Sequence, residues 1–297
     1  MGAFPPSIPT LGTWAQQTRQ AKATRFLIHN ILPADNLVLL SGVPKDAQKT
    51  FLAMWAALMV ATGTSYDRLK CGKPKAVLYI YEEGDKPGTL ARFDAIAKGL
   101  GIAPVDEIST LHFAHRLGFS LDSKEWVEYV RTLVEQHKVA FVVIDTLAKC
   151  MQSDENSVQA VGNAIRAAER LRSGECSVMF VHHTRKEDAK LSNGRHGTPE
   201  PDGDIRGSSA LCGSYETHWA VRSYNTALNG DKEQYLIVGG KEFPMRASFY
   251  TFKFVNKQVE GPHGPEMLMD TVTLELSETH ADLPYVEAKT PRAKKGE

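Results

Sequence analysis

The chain has 297 residues, of which 42% are hydrophobic and 24% are charged, and its 35 basic residues balance its 35 acidic residues. This composition is that of a globular protein able to bury a core, and the length suits one large α/β domain or two small ones. The zero net charge excludes a protein that coats nucleic acid through a general basic excess, so any nucleic-acid contact is expected to be local, as in the channel of a ring.

Residues 1 to 36 contain several prolines and few periodic apolar positions, and they predict an N-terminal arm with one short helix near Trp14 to Ala23. From Leu37 onward, strand and helix patterns alternate. The predicted strands are Leu37–Ser41, Ala76–Tyr81, Leu111–Ala114, Phe141–Ile144 and Ser177–Val181. The predicted helices are Lys49–Ala61, Gly88–Gly99, Ser123–His137 (with Ser123 as the cap) and Ser157–Leu171. Because apolar strands alternate with helices, we expect an α/β fold with a mostly parallel central sheet and helices on both faces.

The pattern changes after His183. Thr184 to Ile205 is polar and rich in glycine and proline, which predicts a long mobile loop. Strand patterns then recur at Glu216–Arg222, Tyr235–Val238, Ser248–Val255 and Asp270–Leu276. We expect these to be antiparallel C-terminal strands added to the same sheet. The predicted organisation is an arm over 1–36, one domain over 37–276 and a disordered tail over 277–297.

The segment "SGVPKDAQKTF", Ser41 to Phe51, joins a predicted strand to a predicted helix and ends in Lys49-Thr50. That pair closes phosphate-binding loops, in which backbone N–H groups at a helix start hold phosphates, the lysine reaches the β- and γ-phosphates and the hydroxyl binds Mg²⁺. Val43 and Gln48 stand where such loops carry glycine. Taken alone, the segment favours an ordinary strand-to-helix turn with a surface lysine.

Polar residues also follow three other predicted strands: Glu82-Glu83, Asp145 and His182-His183. Each alone fits an exposed loop or a helix cap. Four such strand ends in succession at one edge of one sheet are hard to obtain by chance, and that edge is where such sheets bind ligands. A metal held by the two histidines is the weaker idea, because adjacent strand residues point in opposite directions.

Together these motifs identify a resemblance. In order and spacing, the chain resembles the RecA-like ATPases of the RepA type, the hexameric replicative helicases of plasmids and phages and their relatives, from about Phe26 to about Val255. The matching segments are Val38–Ala53, Leu78–Asp85 ("LYIYEEGD"), Val142–Ser157 ("VVIDTLAKCMQSDENS"), Val178–Lys186 ("VMFVHHTRK") and Ile205–Leu211 ("IRGSSAL"). The resemblance implies a RecA-like fold that binds ATP and Mg²⁺.

The resemblance also implies roles. Lys49 would contact phosphate, Thr50 and Asp145 would hold Mg²⁺, and Glu83 would be the catalytic base, with Glu82 the less favoured candidate. His183, or else His182, would sense the γ-phosphate. The nucleotide-binding segment comprises Val43, Pro44, Lys45, Asp46, Ala47, Gln48, Lys49, Thr50 and Phe51. A positive φ at Gln48 would cost about 1–2 kcal/mol, so we expect weaker nucleotide binding than a glycine-rich loop gives.

Two further sets of residues are implied by the resemblance. Arg206, in "RGSS", and Lys241, with Arg246 as its alternative, would reach the ATP of a neighbouring subunit. From sequence alone, Arg206 fits a surface arginine paired with an aspartate nearly as well. Two loops, Leu147–Asn156 and Thr184–Ile205, would face single-stranded DNA, and the second carries the candidate DNA-binding residues Arg185, Lys186, Lys190 and Arg195.

The leading hypothesis is a Mg²⁺-ATP-dependent motor on single-stranded DNA, a replicative-type helicase encoded by a phage or plasmid and working as a homo-oligomeric, hexameric ring. Other replication or recombination proteins are its expected partners. One alternative is a recombination or annealing ATPase without unwinding. Another is a DNA-binding scaffold whose altered loop no longer binds nucleotide.

Other features concern location. The longest apolar run, around Met54 to Ala61, is too short to span a bilayer. The N-terminus lacks the basic stretch and apolar core of a secretory signal. Four scattered cysteines without CxxC spacing argue against a disulfide framework or a zinc site. We therefore expect a cytoplasmic protein with no membrane partner.

Overall fold

A computed structural model describes residues 10–20, 26–42, 48–154, 156–172, 176–183, 211, 213–225, 232–240, 248–261 and 264–278. The helices in these ranges are α1 (Leu11–Gln20), α2 (Lys49–Thr62), α3 (Lys86–Leu100), α4 (Lys124–His137) and α5 (Val158–Leu171). Short 3₁₀ turns occupy Val105–Glu107 and Leu147–Cys150. The strands are β1 (Phe26–Ile28), β2 (Leu32–Pro33), β3 (Leu37–Gly42), β4 (Val77–Tyr81), β5 (Leu111–His115), β6 (Phe141–Asp145), β7 (Ser177–His183), β8 (Thr217–Asn225), β9 (Lys232–Gly240), β10 (Ser248–Gly261) and β11 (Gly264–Glu278).

The described residues form one nine-stranded sheet in the order β11-β10-β9-β8-β3-β7-β6-β4-β5. The strands from β8 to β5 pair in parallel, and β9, β10 and β11 add antiparallel pairs at one side. This is a RecA-like P-loop architecture, so the predicted fold class is confirmed. The prediction for the first of the four C-terminal strands was wrong in direction, because β8 lies beside β3 and runs parallel to it.

The two faces of the sheet are covered by different helices. Val38, Leu40 and Val143 point into a cluster with α2 and α3, whereas their strand neighbours Leu39 and Val142 point into a cluster with α4 and α5. This alternation follows from the two-residue period of a strand. It explains why the central strands read as continuous apolar runs: both of their faces are buried.

Residues 26 to 33 belong to this core although the sequence suggests an arm. Here β1 and β2 form a small antiparallel pair, and Ile28, Ile31 and Leu32 are completely buried in the cluster that contains α2. The indole nitrogen of Trp219 donates a hydrogen bond of 2.7 Å to the carbonyl oxygen of Ile31. A pair of strands this short has too few residues to show a periodic pattern.

The predicted helices lie where they were expected, with small shifts at their ends. Ser123 accepts a hydrogen bond from the Trp126 backbone N–H and begins α4 as predicted, and Asp85 caps α3 through the N–H of Gly88. The first helix begins earlier than predicted, at Leu11 rather than near Trp14. No helix in the described ranges has both the length and the apolar character needed to cross a bilayer.

Candidate active site

Four parallel strands end side by side at the candidate site. In the register of the sheet, Gly42 at the end of β3 lies opposite His183 on β7, and Asp145 at the end of β6 lies opposite Tyr81, the last residue of β4. Glu82 and Glu83 follow Tyr81 directly. The structure thus brings the ends of these strands and their polar residues to one edge of the sheet, where such folds bind ligands.

Lys49 is the first residue of α2, and its ammonium group lies inside the protein. Its Nζ atom donates a hydrogen bond of 2.9 Å to the carbonyl oxygen of Gly42, and only 5% of the residue is exposed. Burial lowers the pKa of Lys49 to about 8, although the nearby carboxylates of Asp145 and Glu83 oppose this shift. The site therefore holds a lysine whose positive charge is poorly solvated, and an anion that offsets the charge would bind favourably there.

Gln48 adopts the backbone conformation that a glycine at this position would provide. Its φ is 47° and its ψ is 29°, in the left-handed region, and its side chain makes no capping hydrogen bond to α2. Its Oε1 atom is buried without a hydrogen-bond partner among the described residues. Gln48 thus takes a backbone conformation suited to glycine, and for a residue with a side chain that conformation costs about 1–2 kcal/mol.

Asp145 is completely buried at the end of β6, and the peptide bond that follows it is cis. Its Oδ2 accepts a hydrogen bond of 2.7 Å from the hydroxyl of Tyr79. The Thr50 hydroxyl approaches the carboxylate closely enough to lower its pKa, but within the described residues Oδ1 has no hydrogen-bond partner. Burial outweighs these contacts and raises the pKa of Asp145 to about 6.

Glu82 and Glu83 have different environments. The carboxylate of Glu82 accepts hydrogen bonds from the backbone N–H groups of Leu117, Gly118 and Phe119, so it anchors the loop after β5. Within the described part of the chain, the carboxylate of Glu83 accepts one long hydrogen bond, of 3.3 Å, from the hydroxyl of Thr146. Of the two, Glu83 has the carboxylate that is free to receive a proton from a water molecule.

Glu83 also lines an open pocket of about 400 Å³, together with Glu82, Gly84, Asp85, Arg116 and Lys149. Two exposed cations therefore lie on the rim beside the candidate base. Lys149 falls within the loop Leu147–Asn156 proposed to face DNA. Arg116 was missed by sequence reasoning, because nothing in "HRLG" distinguishes it from an ordinary loop arginine.

The two histidines at the end of β7 differ in burial. His182 is 1% exposed, whereas His183 is only partly buried, as expected for neighbours on a strand. The more accessible side chain at this edge is that of His183, the favoured γ-phosphate sensor.

Phe51 is partly buried on α2, and the Arg92 guanidinium lies 5.8 Å from the centre of its ring.

Several predicted residues lie outside the described part of the chain. They are the loop residues Val43, Pro44, Lys45, Asp46 and Ala47, the candidate DNA-binding residues Arg185, Lys186, Lys190 and Arg195, and the candidate trans-acting residues Arg206, Lys241 and Arg246. Their roles remain predictions.

The chemistry of the site suits Mg²⁺. Asp145 offers a buried oxygen that has no hydrogen-bond partner in the described part of the chain, and Thr50 offers a hydroxyl near the same carboxylate. Oxygen donors are the ligands Mg²⁺ prefers, and it usually binds through one or two protein groups together with water and substrate phosphates. The described residues contain no cluster of three or more histidine, cysteine, aspartate or glutamate side chains that could enclose a metal.

A buried lysine at the start of a helix, with carboxylates at the neighbouring strand ends of a RecA-like sheet, defines the class of P-loop ATPases. The chain belongs to the AAA domain family, whose model matches residues 6–189. Family membership supports a nucleotide-dependent ATPase. The matched range includes Lys49, Thr50, Glu83, Asp145 and His183. A search of curated proteins found no match to the chain.

Proposed function

We propose that the protein is a Mg²⁺-dependent ATP hydrolase that drives a motor on single-stranded DNA, of the replicative helicase type and working as a ring of identical subunits. The observation that carries the hydrolase is the convergence of Lys49, Asp145 and Glu83 at one edge of the sheet, after β3, β6 and β4. The motor and the ring rest on the resemblance to RepA-type ATPases. The RecA-like sheet and the AAA domain match support the ATPase that such a motor needs.

In this proposal the phosphates of ATP lie at the start of α2, where backbone N–H groups without helical partners and the helix dipole favour an anion. Lys49 would exchange its hydrogen bond with Gly42 for the phosphates. Because the ammonium group is poorly solvated, it loses little hydration when it binds them.

Glu83 would accept the proton of the attacking water, since its carboxylate is partly exposed and, among the described residues, is held by one long hydrogen bond. Thr50 and Asp145 would hold Mg²⁺. Once bound, Mg²⁺ neutralises the charge that develops on the phosphate oxygens. His183 would contact the γ-phosphate from the end of β7.

DNA and the neighbouring subunit would approach the same edge of the sheet. The loop Leu147–Asn156 begins directly after the Asp145 strand, and its Lys149 lies on the pocket that Glu83 lines. A phosphodiester bound by this lysine would therefore lie close to the catalytic base. Arg206 and Lys241 are the proposed contributions of the adjacent subunit, and Arg185, Lys186, Lys190 and Arg195 the proposed second DNA contact.

The test is ATP hydrolysis by the purified protein with and without single-stranded DNA, followed by strand displacement on a forked duplex. The proposal predicts hydrolysis that DNA stimulates and Lys49→Ala abolishes, together with displacement. Hydrolysis stimulated by DNA but without displacement would favour a recombination or annealing ATPase. Identical results for the wild type and Lys49→Ala would overturn the proposal.

One observation favours a second candidate, a DNA-binding scaffold that does not use nucleotide. Gln48 combines a left-handed backbone with a buried Oε1 that has no described partner, and both features cost stability at the position that would begin the phosphate-binding helix. Calorimetry with a non-hydrolysable ATP analogue distinguishes the candidates, because the scaffold would bind DNA but not the analogue.

A further inference from the structure

Tyr79 connects the interior of β4 to the acidic residue at the end of β6. The side chain is completely buried, and its hydroxyl donates a hydrogen bond of 2.7 Å to Oδ2 of Asp145. A buried tyrosine hydroxyl normally has a polar partner. Here the partner is the carboxylate that the proposed function assigns to Mg²⁺.

The ring of Tyr79 is held on several sides by other aromatic rings. The ring of Phe93 on α3 packs edge-on at 5.8 Å between centroids, that of Tyr81 at 6.2 Å, and that of Phe113 on β5 at 5.7 Å in a tilted arrangement. Such edge and offset contacts fix ring orientation. The hydroxyl therefore has little freedom, and it can set the orientation of the carboxylate to which it is bonded.

We propose that Tyr79 is a positioning residue for magnesium: its hydroxyl holds Oδ2 of Asp145 so that Oδ1 is left for Mg²⁺. This inference rests on the proposed ATPase function. The supporting contrast lies within one side chain, since Oδ2 has a short hydrogen bond and Oδ1, equally buried, has no partner among the described residues. Loss of a residue that hydrogen-bonds a metal ligand without touching the metal typically lowers metal affinity or activity by about 10–100-fold.

Tyr81 provides a matched control on the same strand. It lies two residues further along β4, in the same core cluster as Tyr79, but its hydroxyl accepts a hydrogen bond from Arg92 at 3.2 Å. Tyr81→Phe and Tyr79→Phe thus each remove one hydroxyl from the same face of one strand, and only the second removes a hydrogen bond to Asp145.

The experiment measures binding of a non-hydrolysable ATP analogue by calorimetry, over a range of Mg²⁺ concentrations and in EDTA. We expect Tyr79→Phe to raise the Mg²⁺ concentration for half-maximal binding about tenfold or more, with metal-free binding unchanged. Tyr81→Phe should match the wild type both in the Mg²⁺ concentration for half-maximal binding and in metal-free binding. The inference is overturned if Tyr79→Phe keeps the wild-type Mg²⁺ dependence, or if it weakens metal-free binding as much. A wild-type protein that binds no analogue would instead overturn the proposed function.

If Tyr79→Phe does not fold, the same measurement on Asp145→Asn with and without Tyr79→Phe decides, because asparagine leaves no buried charge without a partner. If the hydroxyl acts only through the carboxylate, these two proteins should have the same Mg²⁺ dependence within about twofold. If the double variant needs a further tenfold higher Mg²⁺ concentration for half-maximal binding, Tyr79 acts by a route other than the carboxylate.

Discussion

The ammonium group of Lys49 is hydrogen-bonded across the phosphate loop to the carbonyl oxygen of Gly42, at 2.9 Å. Gly42 ends β3 and Lys49 begins α2, so this contact links the two residues that flank the segment 43–48. The protein itself thus positions the lysine, and the charges of Asp145 and Glu83 both raise its pKa against the effect of burial.

The two glutamates after β4 are expected to respond differently to loss of charge. Glu83→Gln should lower the ATP turnover number about a hundredfold or more, the usual range for loss of a general base, while nucleotide binding is retained. Glu82→Gln should keep turnover but lower the free energy of unfolding by about 1–3 kcal/mol, because a charged acceptor of three backbone N–H groups is lost. Steady-state hydrolysis and urea unfolding measure the two effects. The reverse pattern would assign the base to Glu82.

Replacing Gln48 by glycine should stabilise the protein and tighten nucleotide binding. Gln48→Gly removes the cost of a left-handed backbone and a buried Oε1 without a described partner, and the greater chain entropy of glycine offsets part of this gain. We expect the free energy of unfolding to rise by about 1–2 kcal/mol, with tighter binding of the Mg²⁺-nucleotide.

Lys138→Gly is the matched control for Gln48. Lys138 also has a left-handed backbone, with φ of 51°, at the C-terminal cap of α4, but it is exposed and precedes β6, the strand whose opposite end carries Asp145. The Lys138→Gly substitution should change the free energy of unfolding by less than about 1 kcal/mol and leave nucleotide affinity unchanged. A Gln48→Gly protein with weaker nucleotide binding would show that the glutamine contributes directly to the site.

Stability should depend on pH through Asp145. Its pKa in the folded protein, about 6, exceeds the ordinary 3.8, so folding favours the protonated form. This contribution to stability is fully present below pH 3.8 and is lost as the pH rises from there through 6. The shift of about two pKa units corresponds to ~3 kcal/mol. In EDTA, Asp145→Asn should therefore gain up to about that amount relative to the wild type between pH 3.5 and pH 7.5.

Asp154→Asn is the control for this comparison, because its effect on the free energy of unfolding should have the opposite sign. Asp154 is exposed, and hydrogen bonds from Asn156 lower the pKa of its carboxyl group, so the ionised form favours folding and its removal should cost stability above the ordinary pKa. Urea unfolding at the two pH values measures both variants. If Asp145→Asn and the wild type have the same stability at both pH values, the buried carboxylate does not cost stability when it is ionised, which would contradict this prediction.

Much of the site is readable from the sequence because its residues come at strand ends. The apolar runs of β3, β4, β6 and β7 locate the sheet edge, and the residue after each run locates a functional candidate. What escaped prediction depends on contacts between distant segments. The hydrogen bonds of Glu82 to the loop after β5 separate it from Glu83, and no local pattern shows which of two adjacent glutamates will make them.

Tyr79 illustrates the same limit. A tyrosine inside a buried strand signals that its hydroxyl needs a partner, but the partner, Asp145, lies 66 residues away in the chain. The direction of β8 also depends on pairing with β3 rather than on its own residues. In contrast, the left-handed backbone of Gln48 was foreseeable in principle, since a glycine is expected at that position.

The most direct test of the central claim is calorimetric titration of a non-hydrolysable ATP analogue with Mg²⁺ into the wild type, Lys49→Ala and, as an exposed-lysine control, Lys70→Ala. We predict saturable binding to the wild type and to Lys70→Ala, and binding weakened by about 30-fold or more in Lys49→Ala, since truncating one partner of a buried charge pair costs about 2–5 kcal/mol. Absence of binding to the folded wild type, or equal affinity for all three proteins, would contradict a working ATP site in this loop.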